Sequence, residues 1–193
     1  MHDIEPFWKW RDDYVAADDL RSPFHGRTYS ELYFSKQIYN FVIHPQWDGF
    51  GSSTLYLKIL FADYDEAYAL IELFGEWNDT LHNDVMFLKR KIMEPLMAAG
   101  ISRFVFFCEN LLQFHGGDTD YYEEWAEEMR DENGWAALLN LQIHVEEEMT
   151  ATRLGYFLNF GEAFNDINWR AQKPAVIIQA MDALVNGDRK SVV

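Results

Sequence analysis

The sequence has 193 residues, of which 49% are hydrophobic and 17% aromatic, so it can bury the core of one domain and is not that of a disordered chain. Its formal net charge of −16 argues against binding to nucleic acid or anionic membranes, because such binding needs clustered Lys and Arg, which are scattered here. The charge serves solubility, and a basic protein partner is the functional alternative.

The single cysteine and the polar N-terminus indicate where the protein resides. Cys108 has no second cysteine to pair with, so a disulfide within the chain is excluded. The first residues lack the apolar core of a secretion signal, and no window approaches the roughly 18 apolar residues of a membrane helix. We therefore expect a cytoplasmic protein in which Cys108 is a buried small hydrophobe rather than a nucleophile.

Residues 1–27 form an aromatic lead-in before the main domain. The spacing of Phe7, Trp10 and Tyr14 predicts one side of a short helix, and exposure of these rings would be costly. We expect the lead-in to dock on the body of the protein, with docking on another chain as the alternative. Residues 28–44 are dense in aromatic and branched side chains and predict one long strand or two short ones.

A regular pattern begins at Thr54. Residues 54–63 predict a strand that forms a hairpin with residues 67–76, and Gly75 is expected to end the hairpin. Apolar side chains at helical spacing then predict a long helix over 81–99. Pro95 predicts a kink or an early end in it, and Gly100 a stop.

The next strand and helix frame a glycine turn. Residues 101–110 are almost unbroken in apolar character, as expected of a central parallel strand covered on both faces. An acidic helix follows over 118–132, with Asp118 or Thr119 as its cap. Its apolar side packs inward and its acids face water; the inward side chains are Tyr121, Tyr122, Trp125, Ala126 and Met129.

The remainder alternates between strand and helix. We predict strands at 135–141 and 153–160, helices at 143–152, 162–169 and 173–185, and a frayed tail at 188–193. This order predicts a single α/β domain over 28–187. Its mixed β-sheet starts with an antiparallel hairpin, continues with parallel strands and is flanked by helices, with an N-terminal strand extension and a C-terminal helix.

Residues 54–169 resemble the STAS domain, the fold of anti-sigma-factor antagonists and of the cytoplasmic tails of sulfate transporters. The resemblance rests on the element order and on two segments, "ALIELFGEWN" and "RFVFFCENLLQFHGGDTDYYEEW". It implies a regulatory interaction protein with a phosphorylated Ser or Thr where the third strand meets the second helix. Here that junction is His115 to Thr119, where Thr119 alone could be the acceptor and the usual Asp-Ser-Ser-Gly-like motif is missing.

No catalytic residue, metal site or cofactor is predicted. One Cys and dispersed His residues do not suit a structural zinc site, and the acidic segment lacks the ligand spacing of a calcium loop. The nucleotide-binding loops Gly-x-x-x-x-Gly-Lys and Gly-x-Gly-x-x-Gly are absent from the sequence, as is the hydrolase motif Gly-x-Ser-x-Gly.

Three hypotheses for function remain open. The favoured one is a non-catalytic cytoplasmic interaction or regulatory protein with its acidic helix facing the partner; its candidate residues are Glu109, His115, Asp118, Thr119, Glu124 and Glu128. The alternative is a small-ligand-binding protein or enzyme with a pocket at the carboxyl ends of the parallel strands, around Glu109, Asn110 and His115 and reaching Trp47 or Trp77. The third is a homodimer formed through residues 1–27 or an exposed edge strand.

Overall fold

The structure is a computed structural model that describes residues 2–30, 32–34 and 36–190, without the side chains of His2 and of residues 188–190. Its strands are β1 (His2–Ile4), β2 (Gln37–Ile38), β3 (Phe41–Ile43), β4 (Asp48–Gly49), β5 (Leu55–Asp63), β6 (Tyr68–Asn78), β7 (Arg103–His115) and β8 (Trp135–Leu139). Its helices are α1 (Asp79–His82), α2 (Asp84–Leu88), α3 (Glu94–Ala98), α4 (Asp120–Asp131), α5 (Ile143–Ala151) and α6 (Pro174–Lys190). In the described part of the chain, none of the helices has the length and apolar character to cross a membrane.

The strands form two sheets. The larger has the order β4-β5-β6-β7-β8, in which β4, β5 and β6 pair antiparallel and β6, β7 and β8 pair parallel. The smaller has the order β1-β3-β2, with β1 parallel and β2 antiparallel to β3. The predicted α/β class, with a mixed sheet that begins in an antiparallel hairpin, is confirmed.

The hairpin of β5 and β6 extends further than the sequence predicted. Gly75 was expected to end it, but β6 continues to Asn78. Gly75 has φ +111°, and a Cβ at this position would lie 2.2 Å from the carbonyl oxygen of Thr54. Glycine is therefore required here by backbone conformation and by the close approach of β5, and it does not mark an end of the strand.

The long helix predicted over 81–99 is divided into three. Asn83 adopts a left-handed conformation between α1 and α2, a break that the periodicity did not predict. A π-helical turn, Lys89–Met93, then precedes α3, and Pro95 lies in the first turn of α3. Because proline has no N–H to continue the α-helical ladder, an irregularity near Pro95 was expected and is confirmed. Gly100, with φ +104°, follows the end of α3 as predicted.

The five-stranded sheet has apolar layers on both faces. Face A, which we define as the side covered by α2 to α5, buries a core that includes Ile71, Phe106 and Trp125. It also buries Cys108 completely, and burial raises the pKa of that thiol well above its ordinary value. Face B, the opposite side, is covered by α6, by the N-terminal segment through Trp10 and by the turn that carries Trp169.

The N-terminal segment contacts face B without forming the short helix predicted from its spacing. It runs through successive turns, with backbone hydrogen bonds from Arg11 to Trp8 and from Tyr14 to Trp10. Trp10 is 7% exposed and packs with Phe7 and Trp169, at ring-centroid distances of 5.0 and 5.7 Å. Ring packing of this kind does not need a helical backbone.

The prediction of a strand over 153–160 is wrong. This segment forms a 3₁₀ turn, Leu154–Tyr156, and a single bridge between Asn159 and Ala137 of β8. Its apolar residues pack in the core instead of forming a strand. Leu154 packs in the face A core, and Phe164, which follows the segment, packs in the face B core. The segment crosses the edge of β8 from one face to the other, and this path prevents an extended pairing.

The tail and the helix before it differ from expectation in extent. Helix α6 continues to Lys190, beyond the predicted end at residue 185. Residues 191–193 of the predicted frayed tail lie outside the described residues. The division into a lead-in, a single domain and a tail stays a prediction, although β1 within the lead-in pairs with β3 of the main domain.

Candidate functional site

Three adjacent strands carry charged residues near the middle of face B. These residues are Lys58 of β5, Glu72 of β6 and Glu109 of β7, and we call them the charged band. Lys58 and Glu72 lie opposite each other in the antiparallel register and are 8% and 1% exposed. Buried charges require partners, so the packing around the charged band decides what this face can bind.

Arg170 joins the two carboxylates of the charged band. Its guanidinium donates from one terminal nitrogen to Glu72 Oε1 and from the other to Glu109 Oε1, each at 3.0 Å. Trp169 Nε1 also donates to Glu109 Oε1, at 2.6 Å, and the Trp169 ring stacks on Phe107 with centroids 3.6 Å apart. The 3₁₀ turn Trp169–Ala171 therefore brings both a ring and a cation to face B.

Glu72 has an unusual proton affinity. Burial, as the largest cause, and the charge of Glu109 together raise the pKa of this carboxyl to about 7. The backbone N–H of Phe7, at 2.8 Å from Oε2, and the guanidinium of Arg170 act in the opposite direction. Glu72 thus links the N-terminal segment to the sheet and changes its charge close to neutral pH.

A cavity of about 390 Å³ adjoins Glu109 at the carboxyl ends of β7 and β8. Its lining is mostly amide and carboxylate: Glu109, Asn140, Leu141, Gln142, Asn165, Asp166, Ile167 and Asn168. We call it the Glu109 cavity. Two of its buried acceptor atoms, Glu109 Oε2 and Asn165 Oδ1, have no hydrogen-bond partner among the described residues. A pocket was expected near Glu109, but His115, Trp47 and Trp77 lie outside this lining.

The predicted junction of strand and helix lies at the end of β7. His115 is exposed there, with Nε2 4.0 Å from Glu76 Oε1. Asp118 is exposed as well, and Thr119 occupies the N-cap position of α4 without a side-chain capping hydrogen bond. The predicted cap from Asp118 or Thr119 is therefore wrong; backbone geometry at Thr119, with ψ near 0°, does not suit side-chain capping.

Glu124 and Glu128 lie on the other side of the molecule, in the layer over face A. Together with Glu94 they surround the fully buried ammonium of Lys89, whose Nζ lies 2.8 Å from Glu94, 3.3 Å from Glu124 and 3.0 Å from Glu128. Three carboxylates this close together could also hold a metal ion, but Lys89 contacts each of them. The expectation that all acids of the helix face water holds only in part for these two, because they are 42% and 38% exposed and pair with Lys89 from the preceding helical segment.

A buried polar cluster joins the start of α1 to α4. Asp79 accepts hydrogen bonds from Trp77 Nε1 at 3.0 Å, from the Val85 N–H at 2.7 Å and from the Tyr122 hydroxyl. Burial raises the pKa of Asp79 to about 6. Each of these bonds ties one element to another, so we interpret the cluster as structural support.

The six predicted site residues therefore do not form one site. Glu109 belongs to the charged band, His115 to Thr119 to the end of β7, and Glu124 with Glu128 to the Lys89 cluster. Sequence reasoning missed Lys58, Glu72 and Arg170. A signal for the first two existed, since each is the one charged residue within an apolar run, "LYLKILF" and "ALIELFG".

The comparisons with known proteins concern the fold. No family model matches the sequence, and no curated protein matches it. The chain is similar to the anti-sigma factor antagonist SpoIIAA in its unphosphorylated form, with a TM-score of 0.44 and 18% identity over 55% of this chain and 88% of that chain. The Bacillus cell fate determinant SpoIIAA in its phosphorylated form gives 0.39 and 17% over 55% of this chain and 91% of that chain. The STAS-like fold inferred from the sequence is thus matched in structure over about half the chain.

Proposed function

We propose that the protein binds a small molecule in the Glu109 cavity. The observation that carries this proposal is a pair of buried acceptors without partners, Glu109 Oε2 and Asn165 Oδ1, in two residues that line one cavity. A buried acceptor without a donor costs on the order of 1–3 kcal/mol, so two at one place favour a ligand that supplies donors. The position at the carboxyl ends of parallel strands is where open α/β sheets bind ligands.

The hydrogen bonds of the lining indicate the class of ligand. The amide nitrogen of Asn140 donates to Glu109 and Ile167, that of Gln142 to the Glu109 carbonyl, and that of Asn165 to Glu146. These donors are thus engaged within the protein, whereas acceptor atoms remain. The ligand that fits is rich in donors, namely a polyol or a primary ammonium compound.

Side-chain amide spectra and thermal shifts test this proposal. We expect sorbitol or 1,4-diaminobutane to shift the NH₂ resonances of Asn140, Gln142 and Asn165 in ¹⁵N-labelled protein. At ten times Kd the same compound should raise Tm by about 3–6 °C. Asn165→Ala should abolish both effects, while Gln172→Ala, an exposed amide outside the cavity, should leave them unchanged. Resonance shifts that avoid the lining residues, or no shift with either compound, would refute the proposal.

A second candidate function is the docking of a basic protein on α4. Glu124 and Glu128 are engaged by Lys89, but one side of the helix carries exposed acids for which no ion pair occurs within the described ranges: Asp120, Glu123, Glu127 and Asp131. Their spacing of three and four residues places them in one stripe. This stripe, rather than the predicted pair Glu124 and Glu128, has charge available for a partner.

A pull-down from lysate at low and high salt tests the second candidate. Partners that need the stripe should be lost at high salt and in the double variant Glu123→Lys with Glu127→Lys. The control reverses the same number of exposed charges on α5, at Glu147 and Glu148. Equal loss of partners in both double variants would show that net charge, and not the stripe, is responsible.

A further inference from the structure

A second cavity, of about 250 Å³, lies between the N-terminal segment and β5. We call it the Lys58 cavity. The N-terminal segment supplies aromatic walls through Phe7, Trp10 and Tyr14, and β5 supplies Lys58 and Leu60. It is distinct from the Glu109 cavity, with which it shares no lining residue.

Two cations of this cavity share a single buried carboxylate. Lys58 Nζ lies 3.3 Å from Asp48 Oδ2, and a terminal nitrogen of Arg27 lies 3.0 Å from Asp48 Oδ1. The side chain of Asp48 is fully buried, and its Oδ1 also accepts from the Tyr29 hydroxyl at 2.7 Å. One negative charge thus faces two positive charges, which leaves a positive surplus in the buried part of the cavity.

The rim of the cavity adds nothing to this surplus, because the exposed carboxylate of Asp18 lines it beside a paired cation. Arg11 lines the cavity and pairs with Glu5 at 3.2 Å, in an ion pair whose members are both substantially exposed. Burial is the largest cause of the lowered pKa of Lys58, and the charges of Arg11 and Arg27 lower it further while Asp48 opposes them. The positive surplus therefore lies in the inner part of the cavity, where Lys58 and Arg27 share Asp48, in a chain whose net charge is −16.

We propose that the Lys58 cavity binds a small aryl anion, that is, an aromatic ring carrying a carboxylate or a phosphate. The rings of Phe7, Trp10 and Tyr14 provide edge and face contacts for the ligand ring. Lys58 has three ammonium donors, and Arg11 adds its guanidinium, so both can form charge-assisted hydrogen bonds with the anion. The volume lies just below the range of about 300–1,000 Å³ typical for drug-sized ligands, which favours a single ring.

Isothermal titration calorimetry of the full chain tests this inference with phenylacetate, phenyl phosphate, phenylacetamide and benzylammonium as probes. We expect saturable binding of at least one of the two anions, and the tighter one identifies the anionic group. Lys58→Met should weaken that binding about 10- to 100-fold, because a charge-assisted hydrogen bond is lost. Arg11→Gln at the rim should weaken it about 2- to 5-fold. Lys173→Met, an exposed charge removed elsewhere, should not change it.

The outcomes separate charge recognition from nonspecific ring binding. Equal affinity for phenylacetamide or benzylammonium would overturn the proposal, as would anion binding that survives both Lys58→Met and Arg11→Gln. Absence of binding by both anions at millimolar concentration would also overturn it. If Lys58→Met does not fold, the affinity of Arg11→Gln for the anion tests the proposal instead. The Arg11 side chain is 40% exposed and does not hold the core together, so this variant should fold. Asn165→Ala should bind the anion normally, which keeps this result separate from the Glu109 cavity.

Discussion

The two faces of the five-stranded sheet bury their side chains in different ways. On face A the core residues from β5, β6 and β7 are apolar, as illustrated by Leu57, Ile71 and Phe106. On face B the same strands carry the charged band, which is neutralised by Arg170 from the C-terminal half and by Asp48 of β4. Apolar packing needs only shape, whereas each buried charge needs a specific partner. Both cavities that we consider binding sites adjoin the charged band.

The largest expected effect is the removal of a face A ring. Phe106 is fully buried and packs edge-on to Trp125, with ring centroids 6.0 Å apart. Phe106→Ala should lower the free energy of unfolding by about 3–5 kcal/mol, because it leaves a cavity in a close-packed layer. The loss should be the same at pH 5.5 and pH 8 in urea titrations, with Phe106→Leu as a milder control. A loss that depends strongly on pH would contradict the apolar character assigned to face A.

The charged band should instead make stability depend on pH. The pKa of Glu72 is raised from 4.5 to about 7 in the folded state, so the folded protein retains a proton that the unfolded chain releases. Stability is therefore higher at acid pH and falls as pH rises through this window, by about 2–3 kcal/mol between pH 5 and pH 8. Glu72→Gln should remove this part of the decline. Asp79, with a pKa raised to about 6, contributes a decline of the same sign in both proteins.

Urea titrations of the wild type and of Glu72→Gln at pH 5, 6, 7 and 8 measure the difference. The two curves should diverge as pH rises, and the divergence should centre below the folded pKa of about 7. Curves that run parallel over the whole range would show that Glu72 is not the group responsible. The unaffected contribution of Asp79 serves as an internal reference.

The layer over face A contains charges too, but they surround Lys89 outside the sheet. Lys89→Met should lower stability by about 1–2 kcal/mol, less than for a fully buried pair, because the three carboxylates are 33–42% exposed. Added salt should recover part of the loss, since it screens the repulsion between Glu94, Glu124 and Glu128. Lys91→Met, an exposed neighbour, is the control and should have little effect. A loss from Lys89→Met that is insensitive to salt would indicate lost packing instead.

The smallest effect concerns the exposed stripe of α4. Glu127 lies four residues from both Glu123 and Asp131, and like charges at this spacing repel. Glu127→Lys should therefore raise stability by a few tenths of a kcal/mol, and Glu127→Gln by about half as much. Paired thermal and urea unfolding of the three proteins in low salt can resolve such a difference. A decrease in stability in Glu127→Lys would mean that the acid has a partner within the fold.

The sequence predicted the hairpin and the parallel strands because their apolar patterns are local. The end of β6 was misjudged because Gly75 is needed for the approach of Thr54, a contact between two strands that a single segment does not reveal. The prediction of a strand over 153–160 was wrong for a similar reason. This segment passes around the edge of β8, where Asn159 bridges to the strand. In both places tertiary contacts override the local secondary-structure propensity.

The sequence predicted where a pocket lies but not most of its lining, and the use of this pocket as a binding site stays a prediction. Glu109 and the carboxyl ends of the parallel strands were expected to form a pocket, and a cavity lies there. Arg170 and Asn165 could not be identified as its neighbours, because they are 61 and 56 positions away from Glu109 and follow a segment whose path was misjudged. Lys58 was not identified either, because the aromatic residues of the N-terminal segment that line a cavity with it are more than 40 positions away in the sequence.

The buried ammonium of Lys89 has a consequence for the acidic helix. Helix α4 carries six carboxylates and one arginine, and a surface of this kind ordinarily attracts cations from solution. Here the ammonium group of Lys89 lies among Glu94, Glu124 and Glu128 and acts as their counter-ion. We therefore expect the packing of α4 against the helices before it to need no magnesium or polyamine from solution.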